Sequence, residues 1–200
     1  LYARQGRYDD ALNQYHKALS LDPENISSRF NCVLALENLN RRKDAIAACL
    51  DILTIDSSHV RSRMRLVKLY ADMQDSTNAM AQAVKLEKLV PDDIHALAVI
   101  ASAYSQLGRP EEAIVRLKNI LTLKPDDITA LYNLGTAYGG LERYKDAIAA
   151  YESVLKQRPD DKKTLSAIAA IHSKTGHPED AKVYLDAATK LGKDTSAKID

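Results

Sequence analysis

Residues 131–159 read LYNLGTAYGGLERYKDAIAAYESVLKQRP. Leu131, Leu134, Gly135 and Tyr138 share one face of a helix, and Ala147 and Tyr151 share one face of a second. Pro159 closes the stretch. The turn between the two faces, Glu142-Arg143-Tyr144-Lys145-Asp146-Ala147, has counterparts elsewhere. They are Gly6-Arg7-Tyr8-Asp9-Asp10-Ala11, Gly108-Arg109-Pro110-Glu111-Glu112-Ala113 and Gly176-His177-Pro178-Glu179-Asp180-Ala181. Working outward, alanine stands at Ala11, Ala45, Ala79, Ala113, Ala147 and Ala181, a 34-residue period without insertion or deletion. Proline keeps that period at Pro23, Pro91, Pro125 and Pro159, with Ser57 and Lys193 in the remaining places. Tyrosine keeps it at Tyr2, Tyr70, Tyr104 and Tyr138, replaced by Leu36 and His172. A repeat of this length is a unit that buries its apolar face only by stacking on its neighbours.

Composition fits stacked helices. Good helix formers dominate, and seven Gly and six Pro leave little room for turn-rich β architecture. With 46% hydrophobic and 28% charged residues, the chain can bury a core and does not resemble a disordered segment. The 28 basic residues are balanced by 27 acidic ones, so the broad basic face of a general nucleic-acid binder is missing. No apolar run approaches the ~20 residues that span a bilayer, and no membrane insertion is expected of this segment. Cys32 and Cys49 are too few for a disulfide framework and lack metal-ligand spacing. Reduced thiols and a cytoplasmic location are the expectation.

The run Leu131-x-x-Leu134-Gly135-x-x-Tyr138, Ala147-x-x-x-Tyr151, Pro159 resembles the signature of the tetratricopeptide repeat family, whose unit is an antiparallel pair of helices, A and B. Leu165-x-x-Ile168-Ala169-x-x-His172 with Ala181-x-x-x-Leu185 follows it, whereas Arg29 and Arg63 stand where Trp or Leu is usual. The resemblance implies an all-α fold, a right-handed superhelical solenoid of antiparallel helix pairs whose A helices line a concave groove. It divides the chain into a partial first repeat at 1–25, mainly helix B, repeats at 26–59, 60–93, 94–127, 128–161 and 162–195, and a tail at 196–200. A half repeat at the start reads as a segment of a longer parent. Val33, Val67, Ala101, Gly135 and Ala169 are expected to let helix A approach the recurring Ala of helix B. The Pro-Asp-Asp triplets at 91–93, 125–127 and 159–161 offer an Asp as helix cap, and Pro110 and Pro178 suit a first helical turn. Gly192 is expected to stop the last helix.

One stretch departs from the neutral background. Arg61, Arg63, Arg65 and Lys68 place four cations within eight residues. Arg61, Arg65 and Lys68, at i, i+4 and i+7, lie within about 60° of one another on a helix, and Arg63 points away. By the resemblance that stripe faces the groove, as do Phe30, Asn31, His95, Tyr132, Asn133 and Lys163. Guanidinium forks hold carboxylates in a bidentate grip, Asn offers hydrogen bonds to a peptide backbone, and Phe30 and Tyr132 offer apolar contact. Some chaperone-adaptor members of the family clamp a partner's C-terminal carboxylate with five residues, and Asn31, Arg61 and Arg65 match three of those places. The expected function is a protein–protein interaction scaffold that binds a peptide or helix, acidic or carboxylate-terminated, in the concave groove. Two alternatives stand beside it. One is a self-assembling structural scaffold, a homo-oligomer. The other is the substrate-docking arm of an enzyme whose catalytic domain lies outside this segment.

Catalytic motifs are not in evidence. His16, His59, His95, His172 and His177 are scattered, and Gly-rich phosphate loops, Gly-x-Ser-x-Gly and Cys-x-x-Cys are absent. His172, in the place of a packing Tyr, is expected as core filler, and Cys32 and Cys49 as small buried thiols between helices A and B. No enzymatic activity, cofactor or metal is expected.

Overall fold

The computed structural model describes residues 2–196. Among them a short 3-10 helix, Tyr2–Gln5, precedes eleven α-helices, and there is no strand. These are α1 (Tyr8–Leu21), α2 (Ile26–Asn38), α3 (Arg42–Ile55), α4 (Val60–Asp72), α5 (Ser76–Leu89) and α6 (Ile94–Gln106). They continue with α7 (Pro110–Leu123), α8 (Ile128–Gly140), α9 (Tyr144–Gln157), α10 (Lys162–Lys174) and α11 (Pro178–Ser196). The even-numbered helices α2 to α10 are A helices of 13 residues, and the odd-numbered α1 to α9 are B helices of 14.

Local chemistry at the helix ends sets this spacing. Every A helix opens on a side-chain cap: Asn25, His59, Asp93, Asp127 and Asp161 accept the backbone N–H of Ser28, Ser62, Ala96, Ala130 and Thr164. The turn from A to B needs a left-handed residue, and Gly6, Asn40, Gln74, Gly108, Glu142 and Gly176, again 34 apart, all have positive φ. Around Asn40 the amide of Arg41 bonds the carbonyl of Leu36 at 2.9 Å and the amide of Asn40 bonds that of Glu37 at 3.0 Å. This pair of bonds satisfies carbonyls that the helix end would leave open. Arg7, Arg41, Arg109 and Arg143 precede four B helices and each pairs with a carboxylate three residues on. Pro110 and Pro178 occupy first helical positions.

Packing divides the chain into two compact units, residues 1–107 and 108–200. Each is a helical solenoid of helix pairs joined by short turns. In the first, Val33, Ala45, Cys49, Ile52, Leu66, Val67, Leu86 and Ile100 are sealed from solvent. In the second, Ala147, Val154 and Ile168 are. Both cysteines are free and buried, and burial pushes the Cys49 thiol up to about 12, which keeps it unreactive.

Two expectations meet a different outcome, at Gly135 and Gly192, and the departure at Arg63 finds its partners. A β-carbon on Gly135 would meet the Tyr151 ring first, at 2.6 Å, so the glycine makes room for Tyr151 one turn beyond Ala147. Arg63 is 7% exposed, its guanidinium donating to Gln82 Oε1 at 2.8 Å and to the Ser57 carbonyl at 2.6 Å. A long stem and two hydrogen bonds thus fill a place where an apolar residue was usual. Helix α11 runs through Gly192 to Ser196, because a glycine inside a helix costs only ~1 kcal/mol and ends it only where the backbone turns left-handed. Of the expected tail at 196–200, Ser196 belongs to α11 and 197–200 lie outside the described residues.

Candidate functional site

Three A helices of the first unit, α2, α4 and α6, wall a hollow of about 230 Å³ lined by Phe30, Arg61, Met64, Arg65, Lys68 and Val99. The i, i+4, i+7 spacing on α4 brings Arg61, Arg65 and Lys68 to one side of it. Phe30, Met64 and Val99 give it apolar walls. The Arg61 guanidinium lies over the Phe30 ring at 4.3 Å, and the ring of His59 meets Phe30 edge-on at 5.5 Å. Arg65 Nη1 is 3.3 Å from Oε2 of Glu37 on α2, whose side chain is only 17% exposed. Among the described residues neither Arg61 nor Lys68 has an ion-pair partner. The hollow is therefore apolar inside, with Arg65 ion-paired and with Arg61 and Lys68 outside any ion pair, Lys68 near enough to Glu37 to act on its charge.

Asn31, exposed, lines a neighbouring hollow of about 280 Å³ with Arg4, Tyr8, Tyr15, Leu34 and Asn38. His95 is exposed on α6 and does not line the cationic hollow. The remaining three candidates belong to the second unit. Tyr132 is half-buried against Tyr151 with Lys163 Nζ 5.0 Å from its ring centre, and Asn133 is exposed. The pair Tyr132–Lys163 repeats the pair Phe30–Arg61: an aromatic on one A helix and a cation 31 residues on, at the start of the next. Such stacking contributes about 0.5–1 kcal/mol at exposed sites and holds a long side chain in place.

A family model described as "TPR repeat" matches residues 1–40 and 101–141, and one described as "Tetratricopeptide repeat" matches residues 128–161. The chain belongs to the tetratricopeptide repeat family. Curated proteins yield no match in sequence. Among solved structures, a crystal structure of MamA protein is similar over 88% of this chain and 96% of its own, with TM-score 0.76 and 21% identity. Residues 41 to the end of MamA from Desulfovibrio magneticus RS-1 match over 84% of this chain and 96% of that one, with TM-score 0.75 and 16% identity. YrrB, described as a TPR protein with an unusual peptide-binding site, matches over 90% and 93%, with TM-score 0.70 and 18% identity. At these identities the likeness shows the fold.

Within this tetratricopeptide repeat chain several site expectations need correcting. Phe30 is 4% exposed, so it is a wall covered by Arg61 rather than an open ring. Arg65 is not an open fork, because Glu37 already engages it. His172 is half-buried rather than core filler: it stacks on Tyr184 at 5.6 Å, with Nδ1 3.8 Å from Asp180, and lines a second-unit hollow of about 450 Å³ with Tyr144, Ile148 and Ile171. An imidazole is shorter than a phenol and keeps a polar edge, which leaves it at the rim. Glu37 was missed, though a signal exists. Its place in the repeat otherwise holds Ala3, Ala71, Ser105, Gly139 and Ser173, so one carboxylate stands in a column of small residues. No cluster of three or more His, Cys, Asp or Glu able to hold a metal occurs among the described residues, and no helix there is long and apolar enough to cross a membrane.

Proposed function

We propose that this chain is a protein–protein interaction module that takes an acidic peptide segment on the A helices of its first unit. The observation that carries the reading is the hollow on α4, where apolar walls adjoin the unpaired Arg61 and Lys68. Such a site accepts an aliphatic side chain while the cations hold a neighbouring carboxylate. The partner side chain gains ~25 cal/mol for each Å² of apolar surface it buries, and the cations supply orientation and encounter rate. Arg61 is already extended over Phe30, so less rotamer freedom is lost on binding. Asn31, exposed beside the hollow, is a position where a longer segment would find a further contact. That YrrB, of similar fold, is described as having a peptide-binding site supports the reading.

Fluorescence anisotropy with a labelled peptide of alternating Asp and Leu tests it. The intact chain is expected to bind in low salt and to lose affinity as salt rises, and Arg61→Ala with Lys68→Ala to weaken binding about tenfold or more. Equal affinity of wild type and double variant in low salt would remove the hollow from the reading. Binding only of the chain to itself, seen as concentration-dependent mass in light scattering, would favour self-assembly instead.

A further inference from the structure

We propose that Glu37 is a built-in counter-charge of the α4 cation site, holding Arg65 until a stronger anion takes its place and so restricting the site to strongly acidic segments. The inference rests on the reading of the hollow as an anion-binding site. Glu37 Oε2 lies 3.3 Å from Arg65 Nη1, and its other oxygen, Oε1, is buried with no hydrogen-bond partner. Displacing Arg65 would leave both Glu37 oxygens without a partner, a cost that only a strongly charged ligand offsets. The charged and titratable groups around Glu37 are Arg65, Lys68 and Asp72 on α4 and Cys49 on α3. Of these, Cys49 is a neutral buried thiol. The cations Arg61, Arg65 and Lys68 therefore meet Glu37 on α2 beside Asp72 on α4, and a ligand with a single carboxylate gains little by replacing Glu37 on Arg65. A ligand carrying several carboxylates outweighs it. Removing the charge of Glu37 releases Arg65 and should raise affinity for acidic ligands of every strength.

The geometry also sets a pH response. Burial pushes the Glu37 carboxyl above its ordinary value, against the opposing pull of Arg65 and Lys68. As pH falls from neutrality, Glu37 takes up its proton before the exposed aspartates of a ligand do. Arg65 is then freed while the ligand still carries its charge, and affinity rises.

Glu37→Gln, which keeps the shape and loses the charge, is the first variant. Glu37→Ser is the second, since Ser105 and Ser173 fill that place in other repeats. Binding of the Asp–Leu peptide by the intact chain is expected to tighten about threefold to tenfold in both variants at neutral pH. The wild type is expected to tighten as pH falls below neutrality while Asp side chains of normal pKa stay ionised, and Glu37→Gln to show no such rise. Unchanged affinity in both variants while the wild type binds would overturn the role of Glu37 alone. Weaker binding in both would show that Glu37 positions Arg65 and would overturn it equally. Absence of binding by wild type and variants alike would remove the site itself.

Discussion

At Gly135 one absent atom decides how α8 meets α9. Three atoms of the Tyr151 ring stand within 3 Å of where a β-carbon would be, and the phenol is held in place by Thr136 Oγ1 at 3.1 Å. Gly135→Ala is expected to cost about 1–3 kcal/mol in urea unfolding, as overpacked cores do, even though Ala is the better helix former. Adding Tyr151→Leu should recover part of that loss, and a strictly additive pair would deny the contact. Arg63 tests the opposite situation, a charge in an apolar place. Burial pushes its guanidinium below the usual range, and Nε has no partner. Leu97, Leu131 and Leu165 hold the same place in later repeats. Arg63→Leu is therefore expected to stabilise the chain by about 1 kcal/mol, measured as a higher urea midpoint at constant slope. The sequence marked Arg63 as a departure. It could not show the Ser57 carbonyl and Gln82 that receive it, because these partners come from a turn and a neighbouring helix.

Helix ends carry the repeat, and they carry unequal strain. Gln74 and Glu142 adopt the left-handed conformation at φ 59° and 58°, where Gly6, Gly108 and Gly176 sit without a β-carbon. Left-handed backbone costs an ordinary residue about 1 kcal/mol, less the entropy that glycine adds to the unfolded chain. Gln74→Gly should then leave stability unchanged or raise it by up to ~1 kcal/mol, and Gly108→Ala should lower it by ~1 kcal/mol. Thermal unfolding of the two variants reads both signs. The cap of α8 gives a pH prediction. The amide of Ala130, with Lys124 assisting, holds the Asp127 carboxyl below its ordinary value. A depressed carboxyl stabilises the fold above the unfolded value, and that contribution disappears as pH falls through the folded one. Asp127→Ala is expected to cost about 1 kcal/mol near neutrality, with the two stability curves converging in acid. Helix register was legible throughout, since caps and turns are local chemistry. The end of α11 was not, because a lone glycine is a stop only in company with a left-handed turn.

Within each unit, stability is expected to vary from helix to helix, since stacked helix pairs pack on their neighbours. Helix α1 buries Ala11 and Leu12, whereas α4 buries Ser62, Arg63, Leu66, Val67, Leu69 and Ala71. Hydrogen exchange should accordingly find the α1 amides open first and those of α4 among the slowest, and uniform protection would contradict a nearest-neighbour solenoid. The 34-residue period and the helix faces could be read directly from the sequence, because turn chemistry and amphipathic spacing act over a few residues, while the family and its helix pair came from the resemblance of the signature residues. The cation stripe on α4 was legible for the same reason. What only the tertiary structure decided is what each cation meets: Arg61 lies on Phe30, Arg65 on Glu37, and Lys68 on neither. Those pairings join residues about thirty apart through the packing of one A helix on another, and side-chain reach across that contact is not written in any local pattern.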